Sequence, residues 1–299
     1  MTSAILLSLL SGVLFAAAGI AYRIGTAGNV QPIQCGVGLS FIGFIGFGVI
    51  GYDEWQNVDL RLALILVFTG VTQYLVIMLL RYAFKLGPLS PVWCAVSLCF
   101  IPVIIYAAIG CGERLSIFQY ISIAATVGAI VSASCSGDHD KKECENRSTS
   151  RVTGIIYGLL LVLLVICNST LPMTLKICSR LTFADSDMTY NEGCGNIILS
   201  VVYFFIMTLG AIDLTVRKKW VFNRYAYWGS GLLAFGACSA YGVQLSLVDR
   251  APAVIVFALS STVSILGAAL ISVLIFKEKV TKSWYFTIGF SILAIILNR

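Results

Sequence analysis

Residues 113–132 read ERLSIFQYISIAATVGAIVS, and residues 278–297 read EKVTKSWYFTIGFSILAIIL. The two align without a gap: Glu113 with Glu278, Arg114 with Lys279, Ser116 with Thr281 and Tyr120 with Tyr285. Each is an apolar run opened by an acid–base pair, and each follows a longer apolar run. A repeat at this spacing divides the chain near its middle.

Composition says what kind of chain is being divided. Of its 299 residues 59% are hydrophobic and 11% charged, against roughly 25% charged in soluble domains; the mean hydropathy is +0.93. That is too little polar surface for a water-soluble globule, which excludes soluble, disordered and nucleic-acid-binding classes. A bilayer span takes ~20 apolar residues, and uninterrupted runs place ten helices near 3–22, 33–51, 62–80, 89–110, 117–134, 153–175, 194–212, 227–248, 252–276 and 284–298. The runs are continuous rather than alternating, so a β-barrel is excluded. The first run has no Lys or Arg ahead of it and is long for a signal peptide; it reads as an uncleaved first span.

The hydrophilic stretch Gly137 to Arg151 separates a first five-helix unit (1–135) from a second (153–299), with 136–152 as connector. Five is odd, so the second copy enters the membrane inverted. The expected fold is an all-α integral membrane protein of ten transmembrane helices arranged as two inverted five-helix repeats.

At residues 81–120, RYAFKLGPLSPVWCAVSLCFIPVIIYAAIGCGERLSIFQY, a helix with a mid-span proline leads into Glu-Arg and a further helix. Residues 247–286, LVDRAPAVIVFALSSTVSILGAALISVLIFKEKVTKSWYF, are similar. This pattern resembles the drug/metabolite transporter superfamily, in its EamA-type ten-helix branch. The resemblance implies alternating access to a central cavity between the halves, a small organic metabolite or drug-like solute carried outward, no cofactor, and residence in the cell membrane with both termini cytoplasmic. The charge distribution argues against that orientation, since it leaves only Arg61, Arg114, Lys176, Arg180, Arg250 and Arg299 of the 20 Lys and Arg on the cytoplasmic side, where an excess is the rule.

Polar residues inside the spans are the candidate solute ligands: Gln73 and Tyr74 in the third helix, Trp93 and Ser97 in the fourth, Asn168 in the sixth, Tyr241 and Gln244 in the eighth, and Ser261 in the ninth. Tyr241 and Gln244 are three apart and share a helical face. Such groups can instead bond across helices, each contributing ~0.6 kcal/mol. No Asp, Glu, Lys, Arg or His falls in the middle of a span, which argues against a proton relay or cation pathway, a metal site and a catalytic pair. Arg23, Arg81, Lys85 and Lys176 sit at span ends, where snorkelling explains them; the other reading is contact with an anionic substrate at a cavity mouth. Glu113–Arg114 and Glu278–Lys279 are either ordinary helix endings or ion-pair latches between access states. Pro91, Pro102, Pro172 and Pro252 are candidate kinks. Ala124-x-x-x-Gly128 suits a close contact within the chain or between two copies. A Cys135–Cys144 disulfide and glycosylation at Asn146 are open to the hydrophilic loop. A non-transporting structural or receptor-like protein, a cation transporter and a membrane enzyme are the rival readings.

Overall fold

A computed structural model describes residues 2–28, 30–86, 92, 95–136, 151–183, 188–274 and 282–297. Trp93, Glu278, Lys279, Pro91, Cys144 and Asn146 lie outside these residues, as do the side chains of Arg23, Lys85 and Cys135. The described chain is helical, with one isolated bridge between Thr182 and Thr189.

The helices are α1 (Thr2–Ala27), α2 (Pro32–Ile50), α3 (Leu60–Leu86), α4 (Phe100–Gly110), α5 (Ile117–Ser136), α6 (Arg151–Asn168), α7 (Thr170–Cys178), α8 (Tyr190–Val216), α9 (Arg224–Leu247), α10 (Leu259–Leu274) and α11 (Lys282–Leu297); a π-helical turn, Val254–Ala258, leads into α10. Among the described residues six stretches are long and apolar enough to cross a bilayer: Ser3–Ala21, Pro32–Ile50, Leu60–Ala83, Ile155–Cys178, Tyr190–Val216 and Arg224–Leu247. Four shorter apolar helices accompany them, Ala95–Gly110, Ile117–Ser132, Val254–Gly267 and Tyr285–Leu297. Large apolar side chains cover the outer surface, Ile109 at 82% and Leu60 at 78% exposure among them, a surface that suits lipid and not water.

Local chemistry starts and breaks these helices. Pro32 opens α2 from an extended Gln31, where its missing N–H loses nothing. Asp59 caps α3 by accepting from Leu62 N at 2.7 Å, and Thr189 and Glu192 form a capping box at the start of α8. Pro172 cannot donate to the Asn168 carbonyl, and the stretch Ile155–Cys178 breaks at Ser169 into α6 and α7. Pro102 likewise follows a turn at Leu98–Cys99.

A further break falls at Cys194 inside α8, where φ is −143°. The Glu54 carboxylate fills it, accepting from Asn196 N at 2.9 Å, Ile197 N at 3.2 Å and Asn196 Nδ2 at 2.6 Å. Glu54→Ala leaves two buried N–H groups unmatched at about 1–3 kcal/mol each. The variant should lose about 2–4 kcal/mol of stability on unfolding; a change below half a kcal/mol would disprove this role.

Followed by contact, the helices close a ring. α1 packs on α9, α9 on α2, α2 on α8, α8 on α3, α3 on α6 and α7, α7 on α4, and α4 on the π-helical turn, which with α10 packs back on α1. The pair α5 and α11 stands against α10. Neighbours run both parallel and antiparallel. Ser200 Oγ donates to Phe44 O while Gly210 meets Val37, so α2 and α8 are antiparallel. α3 and α8 are parallel, with Tyr190 bonded to Asp59 at one end and Asp213 paired with Arg81 at the other.

α5 and α11 bury equivalent faces. Ser122, Thr126 and Ala129 are fully enclosed, and so are the residues aligned with them, Thr287, Ser291 and Ala294. Ser122 Oγ donates to Ala294 O at 3.0 Å. Gly128 meets Phe290 of α11, so that small residue is used inside the chain.

Candidate functional site

Two polar seams cross the ring at mid-helix. In the first, Thr69 and Thr174 hydroxyls lie 2.7 Å apart, Thr72 and Thr170 hydroxyls 3.0 Å apart, and Gln73 Nε2 donates to Thr170 Oγ1 at 3.0 Å and to Cys167 O at 3.2 Å. Asn168 Nδ2 adds a bond to Val96 O at 3.0 Å. The break at Ser169 makes this possible, because it leaves carbonyls near the helix end open to a neighbour. In the second seam Ser11 Oγ lies 3.0 Å from Ser260 Oγ and donates to Ala240 O at 3.3 Å, and Gln244 Nε2 donates to Ser260 Oγ at 3.4 Å. Phe15 meets the Tyr241 ring edge-on at 5.1 Å.

The candidate ligands are therefore divided. Gln73 and Asn168 belong to the first seam, Tyr241 and Gln244 to the second, and bonds to neighbouring helices occupy the amides of Gln73, Asn168 and Gln244. Tyr74 and Tyr241 are half-buried and pack on the same central apolar cluster; the Tyr74 phenol also lies in the field of Asp213, Arg217 and Arg81. Ser97 and Ser261 are partly exposed. No three His, Cys, Asp or Glu among the described residues gather as a metal would need.

Three charged residues sit deeper than the span boundaries drawn from apolar runs. α3 continues past Arg81, α7 past Lys176 and α8 past Asp213. Arg81 and Lys176 do not snorkel: they are 7% and 1% exposed. Arg81 Nη1 pairs with Asp213 Oδ2 at 3.3 Å, and Asp213 Oδ1 takes Arg217 Nε at 2.5 Å. Lys176 Nζ pairs with Glu113 Oε1 at 2.5 Å and donates to Val248 O at 3.3 Å. Arg180 lies 3.5 Å from the same carboxylate, whose Oε2 accepts from Ala253 N at 3.0 Å.

Glu113 thus bonds across the ring and not to its sequence neighbour, for Arg114 is exposed. Burial alone would raise the Glu113 pKa. The Lys176 hydrogen bond, the Ala253 N–H and the charges of Lys176 and Arg180 outweigh it and hold the carboxyl below its ordinary value. In the sequence Arg81 and Lys176 read as snorkelling span ends and nothing singles out Asp213, because each stands alone among apolar neighbours. The available signal was a single charge within the last turns of an apolar run that has no loop residues around it.

No protein-family model matches the chain, and no curated protein matches it. Sixteen chains of solved structures do. One, a protein described only as a crystal structure, superposes with a TM-score of 0.76 over 100% of this chain and 96% of its own, at 13% identity. That likeness shows a shared fold.

Proposed function

We propose that the protein is a secondary carrier of the drug/metabolite transporter kind, moving a small organic solute outward across the cell membrane by alternating access. Its ten spans are the six long and four shorter apolar helices, with α6 and α7 as one broken span, and its halves are inverted repeats. The observation that carries the reading is the pairing of the ring helices, which is kept when the halves are exchanged, although α5 and α11 both stand against α10 and not α4. Under that exchange α1 on α9 becomes α6 on α3, α1 on α10 becomes α7 on α4, and α2 on α9 becomes α8 on α3. The pairs α2–α8 and α5–α11 map onto themselves, and both are antiparallel, as an axis in the membrane plane requires. The matched buried faces of α5 and α11 support the same alignment.

A ring of helices with aromatic groups on a shared apolar cluster suits an uncharged or weakly polar organic solute. Purified protein should be stabilised by compounds of one chemical class in a thermal-shift screen, by about 2.7 kcal/mol at one hundred times Kd, and liposomes containing it should accumulate or release those compounds. If nothing in a broad metabolite and drug panel stabilises the protein or crosses the liposome wall, the structural or receptor-like reading replaces this one.

A further inference from the structure

We propose that α3 and the broken span α6–α7 form a rocker whose two cations, Arg81 and Lys176, latch opposite ends of the ring in turn. The inference rests on the carrier reading and supplies its gates. The two helices are sewn together between the latches by Thr69, Thr72 and Gln73 on one side and Cys167 O, Thr170 and Thr174 on the other. They run antiparallel, with Thr69 beside Thr174 and Gln73 beside Cys167. Arg81 therefore lies twelve residues beyond the Thr69 contact toward one end, and Lys176 two residues beyond it toward the other. At 1.5 Å per residue the two cations stand about 20 Å apart, within a hydrocarbon layer of ~30 Å.

Neither cation finds its counter-ion on the rocker. Asp213 belongs to α8, where Arg217 one turn away also holds it. Glu113 belongs to the loop between α4 and α5, where the Ala253 N–H fixes its second oxygen. Both carboxylates keep an anchor when the rocker swings away, so each remains in place to receive it again. The rocker has its own points of flexure. α3 starts at Asp59, tied to Tyr190 Oη at 2.6 Å, and α7 is set off from α6 by the break at Ser169.

Energetics make the movement alternate. A buried cation stripped of its partner is strongly disfavoured. Opening one end exposes one cation; opening both exposes two, and the populations multiply. A state open at both ends is suppressed, which is what a carrier needs to avoid becoming a channel.

Two native cysteines report on the ends. Cys178 is fully buried two residues past Lys176, and Cys35 is 1% exposed at the start of α2, beside Val37, which meets Gly210 one turn before Asp213. The detergent-purified full chain is treated with a small charged methanethiosulfonate, and modification at each cysteine is followed by peptide mass spectrometry. Glu113→Gln should accelerate modification of Cys178 about tenfold or more, since loss of the partner shifts the population by at least a decade, and leave Cys35 unchanged or slower. Asp213→Asn should do the reverse. If both cysteines accelerate together in either variant, as unfolding would make them, or if neither does, the rocker is refuted. Labelling needs no solute, so reciprocal labelling in a protein that binds and moves nothing overturns the carrier reading and leaves the rocker, while solute transport without reciprocal labelling does the opposite.

Discussion

Gly236→Ala will destabilise the protein by about 3 kcal/mol, whereas Gly231→Ala, five residues earlier on the same helix, will leave it unchanged or slightly more stable. A Cβ at Gly236 would stand 2.6 Å from Leu14 O, 2.8 Å from Ala18 N and 3.1 Å from Ala18 Cβ. Overpacking a core costs about 1–3 kcal/mol when side chains can adjust; here two of the three obstacles are backbone atoms of α1, and no rotamer relieves them. α1 must instead move off α9, which pulls Ser11 away from Ala240 O. At Gly231 nothing lies within 4 Å of the same position, so the methyl only restricts the unfolded chain, a gain of about 0.5–1 kcal/mol in a helix interior. Thermal or denaturant unfolding of the two variants side by side reads the difference. Equal stabilities would mean that α1 and α9 do not approach as closely as Gly236 requires.

The sequence made the apolar helices legible because continuous hydrophobicity is a local property. The kink after Asn168 was visible in Pro172 for the same reason. The equivalence of Ser122 with Thr287 and Ala129 with Ala294 follows from a gapless alignment, and the buried faces of α5 and α11 keep that register. What could not be read locally was partnership. Gln73 looks like a cavity ligand until Thr170, far along the chain, is seen to take its amide. Lys176 looks like the end of a span until Glu113 is seen beside it, because a helix continues through a charge only where a counter-charge waits. Nor does anything in VIVFA mark it as a π-helical turn. The central apolar cluster, with Tyr74 and Tyr241 on it, is assembled from helices of both halves and exists only once the ring closes.

Acidification should do to the wild-type protein what Glu113→Gln does at neutral pH. With the carboxylate neutral, the Lys176 ammonium at 1% exposure keeps only the Val248 carbonyl, and breaking a buried pair in this way costs about 3–5 kcal/mol. The Glu113 carboxyl is held below its ordinary 4.5 in the folded chain, so near that value the unfolded chain takes up the proton first. The stabilisation is therefore fully present above about pH 4.5 and is lost as pH falls through the lower folded value. Other carboxylates titrate in both proteins and cancel in the comparison. The stability gap between wild type and Glu113→Gln should be about 3–5 kcal/mol at neutral pH and close as acid protonates Glu113, while a gap that stays constant down to strong acid would show that the ion pair contributes nothing. In the rocker proposed above, opening of this end of the ring lets water reach Lys176 and returns part of the cost without unfolding. Cys178 reactivity and unfolding free energy, measured on the same variant, thus divide one electrostatic penalty between gate opening and global loss of structure.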